Sequence, residues 1–398
     1  MHRNFRLRFG WWPKSLTDEI QAKENIWVHA VSVGEILAMQ GLLNQLRQRY
    51  PRHQIVLSTV TATGYDLARS RFQHIKIIFA PLDFHSAVTQ YIQRIKPKVY
   101  INAETEIWPN LFWALYKQGI PIVLINGRVS LKSFAGYKIL KFFVKEILSY
   151  VNIFCMQSEE DAGRVIQLGA RKERVRVSGN MKFDDVALPT ILTRQDVGLL
   201  RNEWLWVAGS THPGEEEIIL EILQSLTEEF PQLRLVLAPR HPERTLEIVN
   251  VVRQKNLLPV KFSELAGMPW EPRQVVIMDT MGQLRSLYGL AEIVFVGKSL
   301  TGYGGQNIIE PASFAKPIIV GPNTQNFKDV VELFKKASAL MQVNNTEEFK
   351  TELIQLLKNP HQREAMGAAA REVIQENQGA TERTLKSIGE IFKSSAAK

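Results

Sequence analysis

Ile26-Trp27-Val28-His29-Ala30-Val31 runs straight into Ser32-Val33-Gly34-Glu35, and Ile36–Arg49 follows at helical length. An apolar run, a Ser/Gly turn and a helical segment make one strand–turn–helix unit, with a candidate strand over Ile26–Val33. The unit recurs. Further candidate strands are Gln54–Val60, Ile75–Ala80, Lys98–Asn102, Ile120–Asn126, Val151–Gln157 and Arg174–Ser178. Segments of helical length lie between them, among them Thr63–Arg71, His85–Ile95 and Asn110–Lys117. This alternation argues for parallel βαβ units, and continuous apolar strands fit a sheet covered on both faces.

The rhythm restarts after Lys182. Asp184–Thr193, with Pro189, reads as a linker. New strands are expected at Trp204–Ser210, Leu233–Ala238, Val275–Asp279, Glu292–Gly297 and Pro317–Gly321, and helices at Glu215–Glu229, Glu243–Lys255, Gly282–Leu290 and Asn307–Phe314. The tail from Glu347 is helical. The expected fold is α/β: two doubly wound Rossmann-like domains, residues 1–182 and 183–375. A C-terminal helix over 376–398 is free to pack back on the first domain. Open α/β sheets bind ligands outside the carboxyl ends of their strands, so a face-to-face pair would line one central cleft.

The chain has 398 residues and a net charge of +9. No apolar stretch reaches the ~18 residues of a membrane span. Cys155 is the only cysteine, which excludes an internal disulfide and a cysteine-rich metal site and reads as a small buried hydrophobe. The charge points to an anionic partner. His2-Arg3-Asn4-Phe5-Arg6-Leu7-Arg8-Phe9-Gly10-Trp11-Trp12-Pro13-Lys14 interleaves cations and aromatics. It fits an interfacial membrane anchor and equally a basic arm packed on the domain. Phe134–Tyr150 carries Lys138, Lys141 and Lys145 at helical spacing among apolar residues. It reads as a basic amphipathic helix for a membrane surface, or as a core helix with snorkelling lysines.

Candidate chemistry collects at strand ends. Glu35 stands at a helix start, where the dipole favours its ionised form. It is a candidate base, although a first-turn Glu that only complements the dipole is the plainer reading of the pattern. Glu104-Thr105-Glu106-Ile107-Trp108-Pro109-Asn110 offers two substrate-facing carboxylates, with too thin a ligand set for a metal. In Asn126-Gly127-Arg128-Val129-Ser130, Arg128 can fork onto a carboxylate or phosphate. In the second half, Gly209-Ser210-Thr211-His212, Pro239-Arg240-His241-Pro242 and Asp279-Thr280-Met281-Gly282 are polar strand ends. Gly304-Gly305-Gln306-Asn307-Ile308-Ile309-Glu310-Pro311 places bare backbone amides beside a carboxylate at a helix start, a pattern suited to phosphate and ribose.

These motifs, in register from about Arg6 to about Asp329, resemble the 3-deoxy-D-manno-octulosonic acid (Kdo) transferases, which build the lipopolysaccharide inner core. The resemblance implies a GT-B fold and a membrane-associated glycosyltransferase at the cytoplasmic face of the bacterial inner membrane. It implies transfer of Kdo, with inversion, from CMP-Kdo to the 6′-hydroxyl of a lipid A precursor (lipid IVA). It implies that no metal or other cofactor and no nucleic acid takes part. Glu35 would be the base. Ser32, Gly34, Glu104, Glu106, Arg128, Ser130 and Lys182 would face the acceptor and Kdo. Ser210, Thr211, Pro239, Arg240, His241, Met281, Gly282, Gly304, Gly305, Asn307 and Glu310 would face the nucleotide. Among these, Glu310 would contact ribose, Asn307 and Gly305 phosphate, and the loop around Arg240 cytosine.

The chain departs from the family pattern at Lys298, Gln283 and Gln306, where Gly, Glu and His are common. These departures bear on the phosphate loop. The apolar anchor that often precedes the basic arm is missing, so the chain is read as naturally short or trimmed. Two other classes fit the composition: a sugar-nucleotide epimerase of like architecture, which would prefer UDP, and a non-catalytic membrane or nucleic-acid binder.

Overall fold

The computed structural model describes residues 5–184, 192–265, 267–302 and 304–396. It divides into two units: residues 1–185 with 377–398, and residues 186–376. The first holds β1 (Glu24–His29), β2 (His53–Thr59), β3 (Lys76–Phe79), β4 (Pro97–Ala103), β5 (Ile122–Gly127), β6 (Ile153–Met156) and β7 (Val175–Val177). They form one sheet in the order β3-β2-β1-β4-β5-β6-β7, with every pairing parallel. Alternate residues of each strand enter opposite cores. Trp27, Tyr100, Leu124 and Phe154 pack on one face. Ile26, Val28, Val99, Ile101, Val123 and Ile125 pack on the other. Both faces are covered, which is why the strands read as unbroken apolar runs.

The second unit holds β8 (Trp204–Thr211), β9 (Leu233–Pro239), β10 (Leu258–Lys261), β11 (Gln274–Ile277), β12 (Ile293–Val296), β13 (Ile318–Val320) and β14 (Met341–Gln342). Its order is β10-β11-β9-β8-β12-β13-β14, again with every pairing parallel. In each sheet the order reverses once, between β1 and β4 and between β8 and β12. Such switch points open a crevice at the strands' carboxyl ends.

Several boundaries differ from the sequence reading. β1 stops at His29 because Ser32 caps the helix Val33–Ala38. β10 went unread because Pro259 interrupts it. The strand pairs on one side only, with β11, and an edge tolerates a missing N–H. β14, at two residues, is too short to leave a pattern. The segment Phe134–Tyr150 is two helices, Leu131–Ile139 and Lys141–Ser149, broken at Leu140. The expected helix over Asn307–Phe314 shrinks to Ile309–Ser313, and the one over Gly282–Leu290 begins at Leu284. Residues 185–191 of the expected linker, and residues 1–4 of the basic arm, lie outside the described residues.

The helix Ala380–Ala396 belongs to the first unit. Its Leu385, Ile388 and Ile391 join the core that holds Ile26 and Val99. Asp184 accepts from the backbone N–H groups of Gly379 and Thr381, and the Arg383 guanidinium donates to the Ser178 carbonyl (2.8 Å).

Candidate functional site

Glu35 sits at the carboxyl end of β1, beside the switch point. Ser32 is the helix N-cap: its Oγ accepts from Glu35 N–H (3.3 Å) and donates to Glu35 Oε1 (2.8 Å). Val31 N–H donates to Glu35 Oε2 (2.8 Å). This arrangement is a variant of the capping box in which the carboxyl reaches the N–H of the residue before the cap, and it fixes the carboxyl group in one place. The side chain is also buried, at 8% exposure.

Burial pushes the Glu35 carboxyl from its ordinary 4.5 up to about 7. The bonds from Val31 and Ser32 oppose the shift, and the charges of Glu104 and Glu106 add to it. The expectation that the dipole holds Glu35 ionised is therefore corrected. A six-residue helix supplies a small field, and desolvation with two neighbouring carboxylates outweighs it.

β4 and β1 are adjacent, so Glu104 and Glu106 come near Glu35 from far along the chain. Glu104 has a left-handed backbone (φ +54) and is held by its N–H to the Ile125 carbonyl (2.8 Å). Partial burial, then the charge of Glu104, pushes the Glu106 carboxyl up as well. The turn is pinned by a residue the motif reading passed over. Fully buried Asn102 donates to the carbonyls of Ala103, Glu104 and Glu106 (3.3, 3.3 and 3.0 Å) and accepts from Tyr100 Oη (3.0 Å). The available signal was a lone amide inside the apolar strand. Thr105 Oγ1 donates to the Arg128 carbonyl, which ties this turn to the end of β5. Asn126, also left-handed (φ +51), accepts from Met181 N–H (3.0 Å) and brings the turn carrying Lys182 to the same strand end. Ser130 is engaged as the N-cap of Leu131–Ile139, accepting from Ser133 N–H (3.1 Å).

Gly34 lies against open space. A Cβ built there would meet nothing nearer than Ser32 Oγ at 3.9 Å. Beneath the site, buried His29 shares a hydrogen bond with Ser58 Oγ (2.9 Å), and burial drives its imidazole down to about 4, so it is neutral.

In the second unit the candidate residues gather around the β8–β12 switch point. Glu215, fully buried, accepts from four backbone N–H groups: His212 (2.9 Å) and Lys298 (2.7 Å) on Oε2, Ser299 (2.8 Å) and Leu300 (2.9 Å) on Oε1. One carboxylate thus clamps the loops after β8 and β12 together. Ser210 (φ +57) accepts at its carbonyl from His212 Nδ1 (3.1 Å). Thr211 is fully buried and its hydroxyl donates to Glu216 Oε1 (2.8 Å). Pro239 closes β9, and Arg240 and His241 follow it exposed. Met281 is exposed beside left-handed Gly282 (φ +91).

The amides of the glycine loop are not bare, contrary to expectation. Gly304 N–H donates to Gln325 Oε1 (3.0 Å) and Gly305 N–H to the Lys298 carbonyl (2.7 Å). These glycines serve the loop's own shape, with φ of +140 and +76 that a side chain would resist. Asn307 accepts from Ile309 N–H (3.0 Å) and donates to Glu310 Oε1 (3.3 Å). Glu310 is close enough to buried Tyr288 to help raise its phenol. Among the described residues, no three His, Cys, Asp or Glu side chains gather closely enough to hold a metal ion.

A family model described as 3-deoxy-D-manno-octulosonic-acid transferase matches residues 3–185. One described as glycosyl transferases group 1 matches residues 270–373. The 3-deoxy-D-manno-octulosonic acid transferase of Haemophilus influenzae is 35% identical over 369 residues, spanning 91% of this chain and 86% of that protein. The chain belongs to the Kdo transferase family. That of Bordetella pertussis is 33% identical over 380 residues, with 86% of its length covered. This Kdo transferase is thus a glycosyltransferase. Its fold is shared with solved UDP-N-acetylglucosamine 2-epimerases: one from Listeria monocytogenes described as putative (TM-score 0.62, 14% identity, 94% of this chain and 97% of that one) and one from Neisseria meningitidis (TM-score 0.61, 14% identity, 92% and 100%). At that identity the likeness concerns the fold alone, which is of the GT-B class.

Proposed function

We propose that this Kdo transferase moves Kdo from CMP-Kdo to a hydroxyl of a lipid A precursor, with inversion, and that Glu35 is the general base. The observation that carries the reading is the buried Glu35 carboxyl, fixed by Ser32 and Val31 and raised to about 7. A base is most effective when its pKa lies near the working pH. The acceptor oxygen bonds the anomeric carbon as the bond from that carbon to the CMP phosphate oxygen breaks. The electron pair leaves with CMP, and the hydroxyl proton passes to Glu35. Glu104 and Glu106 keep the proton affinity of Glu35 high. Arg128 and Lys182 offer cations to the anionic groups of acceptor and Kdo. On the second unit Glu310 takes the ribose hydroxyls, Asn307 lies by the phosphate, and Arg240 and His241 flank the base.

The lipid acceptor calls for docking on an anionic membrane, at the cytoplasmic face of the inner membrane. Supporting this, the helices Leu131–Ile139 and Lys141–Ser149 expose Ile139 (84%) and Phe142 (92%) among Lys132, Lys138, Lys141 and Lys145. Apolar side chains ringed by lysines suit a headgroup layer. No helix of the described residues is long and apolar enough to cross a membrane.

The test is incubation with CMP-Kdo and a tetraacylated lipid A precursor, followed by weighing of the product. Glu35→Gln is expected to cut turnover by ~10²–10⁴ while CMP binding persists. Near-normal turnover would remove Glu35 from the role. Lipid-independent conversion of a UDP-sugar would replace the whole reading with the epimerase one.

A further inference from the structure

The second unit has a charge problem at its switch point. The helix after the glycine loop, Ile309–Ser313, has five residues and so a weak dipole. The two glycine N–H groups are already bonded, to Gln325 Oε1 and to the Lys298 carbonyl. A nucleotide phosphate there needs another source of positive charge.

Lys298 stands two residues beyond the end of β12, after Gly297, with a left-handed backbone (φ +56), a conformation unfavourable for a residue with a Cβ. It is held there by its N–H to Glu215 Oε2 (2.7 Å) and by its carbonyl, which accepts from Gly305 N–H (2.7 Å). The side chain runs along the glycine loop. A Cβ on Gly302 would lie 3.6 Å from Lys298 Cγ, and one on Gly304 would lie 3.2 Å from Lys298 Cε. The ammonium therefore ends beside Gly304. Its charge reaches the ring of His212 at the end of β8, which stands 6.1 Å from the ring of His241. Among the described residues no carboxylate side chain forms an ion pair with Lys298. A cation whose ammonium pairs with no carboxylate among the described residues, set over a glycine loop at a switch point, is arranged for an anionic ligand.

We propose that Lys298 is a further contact to the donor phosphate, beside Asn307: its ammonium binds the phosphate of CMP-Kdo at the Gly304 loop and takes up the charge that develops as CMP leaves. A charge-assisted bond from a fixed cation strengthens as the leaving oxygen gains charge, and it acts without a metal ion. The proposal rests on the reading that the nucleotide binds this unit.

The experiment compares binding of CMP and of cytidine, which lacks the phosphate, by calorimetry. The proteins are the wild type, Lys298→Met, Lys298→Gly and Lys298→Arg. Lys298→Met and Lys298→Gly are expected to bind CMP about 10- to 100-fold more weakly, as for loss of one hydrogen bond to a charged group. Cytidine affinity should stay unchanged in both, which also shows that the loop is folded. Lys298→Arg should keep most of the CMP affinity. Equal loss for CMP and cytidine would mean that Lys298 only shapes the loop, and unchanged CMP affinity would mean that it does not meet the phosphate. Either result overturns the proposal while leaving the nucleotide on this unit. A wild-type protein that binds neither compound would overturn both.

Discussion

Ser32 and Glu35 hold each other: the serine Oγ accepts the glutamate N–H at 3.3 Å and donates to its Oε1 at 2.8 Å. The same carboxyl group closes the helix cap and is the base proposed above. A capping carboxylate is normally ionised on a wet surface. This one is buried near two other carboxylates, and that changes its chemistry.

The pH dependence of the reaction follows. A base must be deprotonated, so kcat/KM should rise about tenfold per pH unit below about 7 and level off above it. Glu104→Gln removes a charge that raises the Glu35 carboxyl, so the rising limb should move to lower pH. Initial rates across pH 5–9 check both. A limb that stays in place in Glu104→Gln would deny the coupling.

Stability should change in a defined window. The carboxyl lies at about 7 in the fold and at 4.5 ordinarily. Between those values the folded protein holds a proton that the unfolded chain has released. The contribution of Glu35 is therefore fully present below 4.5 and is lost as pH rises through about 7. The difference corresponds to about 3 kcal/mol. Glu35→Gln should match the wild type near pH 4 and be more stable by up to that amount at pH 8. Urea unfolding at the two pH values decides it.

Gly34 gives a test that separates fold from function. Alanine has room there, and a Gly-to-Ala change in a helix stabilises by roughly 0.5–1 kcal/mol. Gly34→Ala should therefore unfold at the same temperature or higher, yet lose turnover because the methyl group occupies space reserved for substrate. Full activity would show that the space is merely empty.

Glu215 should be the most sensitive position of the second unit. Glu215→Ala leaves four backbone donors without their acceptor, at ~1–3 kcal/mol for each that water cannot reach. Calorimetry should show one unfolding transition markedly lowered and CMP binding lost. A change of under 1 kcal/mol would mean that water satisfies the loop.

Membrane docking is checked by co-sedimentation with anionic and zwitterionic vesicles. Each lysine near an anionic surface contributes ~1 kcal/mol. Neutralising Lys138, Lys141 and Lys145 should reduce anionic binding and leave CMP affinity intact. Phe142→Ser should weaken what remains at high salt. Equal recovery on both vesicle types, unaffected by salt, would make this a solvated face.

The strand–turn–helix rhythm was legible in the sequence because it depends on neighbours close along the chain. Apolar runs of strand length, Ser32 three residues before Glu35, and turns rich in Gly and Pro are local signals, and they place all seven strands of the first sheet. Where the local signal fails, as at Pro259 in β10 or in two-residue β14, an element exists only because an adjacent strand accepts it. The motifs likewise named Glu35, Glu104 and Lys298 without saying what state they are in. Strand order decided that. β1 beside β4 brings Glu104 and Glu106 to Glu35, and burial then raises its carboxyl, reversing what the helix dipole alone implies. β8 beside β12 sets Lys298 near His212 and lets Glu215 clamp both loops. Desolvation and Coulomb interaction depend on distance in space, and the sequence fixes that distance only through the finished sheet.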